Sequence, residues 1–261
     1  MSKALAIDLD GTLLAGEDLS PRNRDAVKRA SESGYHIIIA TARWRQVGQH
    51  IMDQIGIEEV PMIACSGAQV YCTETGQDIF DKRLPIDFVR ELYDICNSNR
   101  CIATATVNSH TWFRIDPKPE PEYITEAMRW VPALPDPDEA PRIATVQGSG
   151  TIALVREMHK DWQDQVNIFD SVGPSGRIVI AITARGADKG IALDKTCEHL
   201  SIDNESVIAF GDSDNDIEMF RRAGRSVAMG QADDELKDAA THVTTANTED
   251  GVAVFIENEL L

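Results

Sequence analysis

The sequence predicts an α/β fold in which a parallel-sheet core carries a smaller inserted α+β domain, and three observations predict it. Short apolar runs alternate with helical patterns from the start of the chain, the rhythm breaks between Leu84 and Ala184, and it resumes from about residue 185 to the end. Such alternation is the pattern of βαβ units on a parallel sheet, and an interruption that later resumes places one domain inside another. The expected boundaries are 1–83 and 185–261 for the two parts of the core and 84–184 for the insert.

The elements follow in order. Ala4 to Ile7 reads as the first strand. A helix begins after Ser20 as N-cap, with Pro21 in its first position and Gly34 just past its end. His36 to Ala40 is the second strand, and Gly56 closes the helix after it. In the insert, Ile102 to Val107 alternates as a strand and Trp112 and Phe113 read as core. A Pro-studded stretch surrounds Glu120, and a loop holds Pro132, Pro135, Pro137 and Pro141. The core resumes with a helix from Lys189 to His199, a strand from Val207 to Phe210, a helix ending at Gly224 and the apolar run Ser226 to Met229.

Composition narrows the function. With 261 residues and 43% hydrophobic content the chain can bury a substantial core. A net charge of -18 repels nucleic acid and anionic lipid, so neither is an expected partner. No apolar run approaches the ~20 residues of a membrane span, and Asp8 and Asp10 break the first run too early for a signal peptide. A cytoplasmic protein is expected, a monomer or small homo-oligomer, since no heptad or exposed stripe stands out. Five cysteines without a CxxC pair fit reduced core thiols better than a disulfide or zinc framework. The six histidines show no metal-ligand spacing.

The chemistry sits at strand ends. Asp8 and Asp10 follow the first strand, Thr41 the second, and Gly211-Asp212 the run from Val207. In an open parallel sheet those ends converge on one crevice. A carboxylate can attack phosphorus, which makes Asp8 a candidate nucleophile, and Asp10, two residues on, can protonate a leaving oxygen and later deprotonate water. Gly11 permits a tight turn beside Thr12. Mg²⁺ binds through one or two carboxylates with oxygens completing its shell, and Asp8 with Asp212 suits it. Of the cluster Asp212, Asp214 and Asp216, some members then orient ligands from behind. Thr41 and Lys189 can hold transferred oxygens, Lys189 at a helix start where the dipole also favours an anion.

These residues carry a resemblance. Asp8-Leu9-Asp10-Gly11-Thr12-Leu13-Leu14, Thr41-Ala42-Arg43, Asp188-Lys189-Gly190 and Gly211-Asp212-Ser213-Asp214-Asn215-Asp216 resemble the four ordered motifs of the haloacid dehalogenase superfamily. The insert's position between the second and third resembles the Cof-type branch with a type IIB cap. The resemblance implies a Rossmann-like core with an α/β cap that selects the substrate. It also implies Asp8 as nucleophile, Asp10 as acid/base with its backbone carbonyl on Mg²⁺, and Asp212 as the third metal ligand supported by Asp216. Thr41, Lys189 and Asn215 become phosphate contacts. Ala42 stands where the family commonly has Gly, and Ser66-Gly67-Ala68 where it commonly has Asn-Gly-Ala.

Some roles stay open. Arg43 either pairs with a surface neighbour or reaches substrate, Asp214 either joins the acidic cluster or caps the next helix, and His110 and Arg114 are candidate cap contacts. The expected activity is Mg²⁺-dependent hydrolysis of a small phosphorylated metabolite, a sugar phosphate by resemblance, through an aspartyl-phosphate. The alternative is a phosphomutase that returns the phosphoryl group to its substrate. It needs a second phosphate site, and residues 84–184 carry 9 Lys plus Arg against 14 Asp plus Glu, a balance that disfavours it. A non-catalytic sensor is the third reading, and nothing in the sequence motivates it.

Overall fold

A computed structural model describes residues 3–57, 60–73, 75–118, 128–172 and 177–261. The stretch around Glu120 lies outside the described residues. Contacts divide the chain into two compact units, Met1–Phe80 with Asp188–Leu261, and Asp81–Ala187.

The first unit begins with β1 (Lys3–Ile7), the short pair β2 (Leu14–Ala15) and β3 (Asp18–Leu19), α1 (Pro21–Glu32) and β4 (Tyr35–Ala40). It continues through α2 (Arg45–Ile55), β5 (Pro61–Ala64), β6 (Gln69–Cys72) and β7 (Gln77–Asp81). In the second unit α3 (Ile86–Ser98) precedes β8 (Ile102–Val107), β9 (His110–Arg114), β10 (Met128–Trp130), β11 (Ile143–Gln147), α4 (Ser149–His159), β12 (Val166–Val172) and β13 (Ile178–Ala184). The first unit then resumes with α5 (Lys189–Leu200), β14 (Val207–Gly211), α6 (Ile217–Arg222), β15 (Arg225–Ala228), α7 (Asp234–Ala239), β16 (His242–Val243) and α8 (Gly251–Glu259).

The core sheet runs β16-β15-β14-β1-β4-β5-β6-β7, and its pairs from β16 to β5 are all parallel. Strands covered on both faces read as continuous apolar runs. Ala4 and Ala6 pack with Leu193, Met219 and Phe220 of α5 and α6. On the other side α1 lies against α8, where the Asn23 carboxamide accepts from the Ala253 amide and Phe210 meets Phe255 edge-on. Local signals set the helix ends. Ser20 caps α1 by accepting from the Asn23 amide, and Gly56 ends α2 in the left-handed region at φ 71°.

The register of the core sheet is what positions the site. Ile7 lies opposite both Ile39 and Phe210, so the residues after β1, β4 and β14 emerge level with one another at the carboxyl edge.

The second unit is a six-stranded sheet, β10-β9-β8-β11-β13-β12, antiparallel except between β9 and β10. Ala103, Ala105, Ala144, Val146, Ile180 and Ile182 turn one face toward Phe88 and Leu92 of α3 and Ile152 and Val155 of α4. The alternate residues make a threonine-bearing face, on which the Thr104 and Thr145 hydroxyls meet at 2.6 Å. Trp112 packs on the helix-side core. Phe113, next along an extended strand, points to the other face and is half-buried, which corrects its assignment to the core. All five cysteines are free thiols, four of them buried.

Candidate active site

Asp8, Lys189, Asp212 and Asp216 meet at the carboxyl edge of the core sheet. β1 ends at Ile7, and the Asp8 amide donates to the Phe210 carbonyl at 3.1 Å, which ties the first motif to β14. The chain then turns tightly, with the Leu13 and Leu14 amides donating back to the Asp8 and Leu9 carbonyls.

Lys189 is the first residue of α5, whose N-cap Asp188 accepts from the Ile191 amide. Its side chain is buried, and Nζ lies 2.6 Å from Asp8 Oδ1 and 2.7 Å from Asp216 Oδ1. Asp216 is saturated: its other oxygen accepts from the Asp212 and Ser213 amides, each at 3.1 Å. That bonding makes it a scaffold for the β14 turn, with little capacity left for a ligand. The Asp212 carboxylate accepts only from the Thr12 hydroxyl, at 3.2 Å, among the described residues.

Three carboxylates therefore face one ammonium, an excess of two negative charges in a largely dry site. Burial, reinforced by Asp216, pushes Asp212 up to about 7, with Lys189 only partly opposing. Burial likewise holds Asp8 well above the usual carboxylate range against the attraction of Lys189. Burial alone would discharge Lys189, but the charges of Asp216 and Asp8 outweigh it and keep the ammonium protonated. One oxygen each of Asp8, Asp212 and Asp216 lie within 4.8 Å of one another. Hard oxygen donors with two uncompensated charges fit a divalent cation of the Mg²⁺ type.

The structure distributes the other expected residues differently. Asp10 is not among the converging carboxylates. Its side chain is 49% exposed and is gripped by Arg43, whose Nε lies 2.8 Å from Asp10 Oδ2 and whose Nη1 lies 2.9 Å from Glu17 Oε2. The hydrogen bond to Asp10 holds the Arg43 guanidinium above its ordinary pKa. β1 stops at Ile7, so the even spacing of an extended strand does not reach Asp10. Thr41 is buried with its hydroxyl accepting from the Arg43 amide at 3.0 Å, and Ala42 is half-buried between them. Asn215 sits in a single 3-10 turn, its carboxamide oxygen accepting from the Ser213 hydroxyl. Ser213 is the N-cap of that turn, and Asp214 is its first residue and not its cap. His110 and Arg114 both belong to the second unit, on β9.

The loop at Ser66-Gly67, noted in the sequence only as a departure from the family pattern, and Gln231, which the sequence reading missed, add geometry to the site. Ser66 is buried with a positive φ of 53°, and its hydroxyl has no partner among the described residues. Non-glycine residues held there store strain, and the neighbouring Cys65 is in the same region. Gly67 follows, where a Cβ would lie 2.2 Å from the Asp188 carbonyl. Gln231 donates to the Gly11 carbonyl at 2.6 Å and is itself held by the Asn247 amide. Gln231 has no spacing signal, because its role depends on loops far apart in sequence.

Gly11 has a role that the turn alone does not explain. At φ +80° a Cβ here would fall 2.1 Å from Asp212 Oδ2. Gly11→Ala is therefore expected to displace the Asp212 carboxylate and reduce phosphatase turnover by roughly 10–100-fold. Turnover measured against Mg²⁺ concentration checks this, and an unchanged half-saturation with unchanged kcat would refute the displacement.

A parallel core with candidate chemistry on its strand ends and an inserted α/β unit defines a Rossmann-like α/β class of fold shared with known hydrolase structures. The chain belongs to the haloacid dehalogenase-like hydrolases, whose family model matches residues 5–256. It is 30% identical over 264 residues to the 5-amino-6-(5-phospho-D-ribitylamino)uracil phosphatase YcsE of Bacillus subtilis, covering 99% of this chain and 96% of that protein. It is also 30% identical to the pyridoxal phosphate phosphatase YbhA of Escherichia coli, covering 100% and 99%. Among solved structures, a haloacid dehalogenase-like hydrolase from Bacteroides thetaiotaomicron superposes with a TM-score of 0.83 at 25% identity, covering 98% and 99%. A HAD subclass IIB sugar phosphatase shares the fold with a TM-score of 0.81 at 23% identity, covering 98% of each chain. The protein is a phosphoric monoester hydrolase of this family. Among the described residues no helix is long and apolar enough to cross a membrane.

Proposed function

We propose that the protein is a Mg²⁺-dependent phosphatase that hydrolyses a phosphorylated sugar or sugar alcohol through an aspartyl-phosphate on Asp8. The observation that carries this reading is the buried Lys189 ammonium bridging Asp8 and Asp216 beside a free-standing Asp212. A nucleophilic carboxylate must be ionised and aimed, and Lys189 supplies both the charge and the hydrogen bond.

The metal would be held by Asp8, Asp212 and the Asp10 carbonyl, and when bound it neutralises phosphate oxygens. Asp8 attacks the phosphorus, the bond to the leaving oxygen breaks, and Asp10 protonates that oxygen. Asp10 then takes a proton from the water that splits the acyl phosphate. For this the Asp10 carboxylate must exchange Arg43 for the substrate, so Arg43 sets the resting position of the acid/base. Lys189, Thr41 and Asn215 hold the transferred oxygens, with Gly11, Ala42 and Arg43 bordering the same loops. The substrate class rests on the relatives: one acts on a phosphorylated ribityl compound and another on pyridoxal phosphate.

The test is phosphate release from sugar phosphates, phosphorylated sugar alcohols, pyridoxal phosphate and nucleotides, with Mg²⁺ and with a chelator. Metal-dependent release with preference for a polyol phosphate supports the reading. Preference for pyridoxal phosphate would overturn the substrate class, and release that ignores the chelator would overturn the metal.

The Asp212 shift gives a pH prediction. An unfolded carboxyl ionises near ~3.9, whereas Asp212 in the metal-free fold does so at about 7. Between those values the folded state holds a proton that the unfolded state has released, so this group costs stability as pH rises from about 4 to about 7. Mg²⁺ binds the ionised form, so the gain in Tm from added Mg²⁺ should be larger at pH 8 than at pH 5.5. Melts with and without chelator check this, and an equal gain at both pH values would contradict it.

A further inference from the structure

A cavity of about 900 Å³ lies within the second unit, where β8 and β13 begin and β9 and β11 end. This is a volume typical of small-molecule sites, which are mostly apolar with a few convergent polar groups. Ile102, Ile115, Ile152 and Ile178 supply apolar wall, and Ile178 is 60% exposed, unusual for a side chain of that size.

The charged groups here are predominantly cationic. Arg100, Arg114, Arg156 and Arg177 all border the cavity, four of the nine Lys and Arg in residues 84–184, a segment whose net charge is negative. Arg156 is paired with Asp170, and Asp116 also lies at the wall. Arg114 differs from the other three because it is only 8% exposed. It stands opposite Ala103 on the helix-side face of the sheet, with Nη1 donating to the Cys101 carbonyl at 3.1 Å and lying 3.4 Å from Cys101 Sγ. Its Nε is buried without a partner, and the hydrogen bonds it makes among the described residues go to Cys101 and not to a carboxylate. Burying a guanidinium without a counter-ion is costly, and such groups are normally found paired.

The same wall includes Gly148 and Ser149, the N-cap and first residue of the 11-residue α4. No side chain caps this helix, and its first turn holds no acidic residue. Its amides thus add a second, independent preference for an oxyanion.

We propose that this cavity binds an amphipathic organic anion, its oxyanion head held by Arg114 and the amide end of α4 and its apolar body lying against the isoleucines. This is a second ligand site, formed entirely by the inserted unit and separate from the carboxylate cluster of the core. Cys101 lies in the same wall and gives a built-in reporter. The hydrogen bond from the Cys96 thiol, with help from Arg114, brings its thiol down to about 7, where it is readily alkylated.

The test uses 1-anilinonaphthalene-8-sulfonate as probe on the full chain, with Arg114→Gln and Ala153→Trp separating this site from the carboxylate cluster of the core. The expected result is saturable fluorescence enhancement and slowed iodoacetamide labelling of Cys101. Affinity should fall about tenfold or more in Arg114→Gln, which removes the charge-assisted contact. It should fall likewise in Ala153→Trp, which fills the cavity from an exposed position of α4. Uncharged N-phenyl-1-naphthylamine should respond to Ala153→Trp and not to Arg114→Gln. Absence of saturable binding or unchanged affinity in Ala153→Trp would overturn the proposal. So would unchanged affinity in a folded Arg114→Gln; if that variant does not fold, Ala153→Trp with the Cys101 protection decides.

Discussion

Asp8→Asn is expected to lower phosphatase turnover by at least about 10,000-fold, because it removes the nucleophile with almost no change in volume. The fold should survive. Asp8 is one of three carboxylates facing a single ammonium, and burial already resists its ionisation. A neutral amide relieves that repulsion while its oxygen can still accept from Lys189, so Tm in chelator should stay level or rise. The rise in Tm produced by Mg²⁺ should shrink in the same variant, since a proposed ligand has been lost. Single-turnover phosphate release together with melts in Mg²⁺ and in chelator separates these effects. Activity within about tenfold of the native chain would rule out the covalent route while leaving the family assignment intact.

The second large effect is on stability. Lys189→Met keeps the length of the side chain but leaves Asp8 and Asp216 buried without their cation. Removing one partner of a buried ion pair costs about 3–5 kcal/mol, or roughly 6–20 °C in Tm for a protein of this size. Asp8, already held above the usual carboxylate range by burial, binds its proton still more tightly in the folded chain once the opposing ammonium is gone. Lowering the pH toward about 5 should therefore recover part of the loss, and so should Mg²⁺, by replacing the missing positive charge. A Tm change below about 2 °C, independent of pH, would show that Lys189 does not neutralise the cluster.

Much of the core was legible because its signals are local. The cap of α1 by Ser20, the end of α2 at Gly56 and the start of α5 at Lys189 each depend on a few adjacent residues, and all three were expected. Buried strands such as Val207–Gly211 declare themselves by unbroken apolar character. Phe113 was misplaced because an aromatic residue on an antiparallel strand can face either side, and only the pairing of β8 with β9 decides which. The Asp10 carboxylate was expected beside Asp8, but the strand stops before it and Arg43, distant in sequence, takes hold of it.

By itself the sequence determined the class of fold, the four motifs and the residue types able to move a phosphoryl group, because strand ends in a parallel sheet must converge. Tertiary structure alone decided how charge is shared among those residues. Asp216 is consumed by two backbone amides and Lys189, while Asp212 is left with one hydroxyl, although the two stand four residues apart in one motif. It also decided that Arg114 of β9 lies buried, with no counter-ion among the described residues, in a cavity wall shared with the start of α4. Burial and hydrogen-bond partners depend on residues brought together across the whole chain, and no local pattern encodes them.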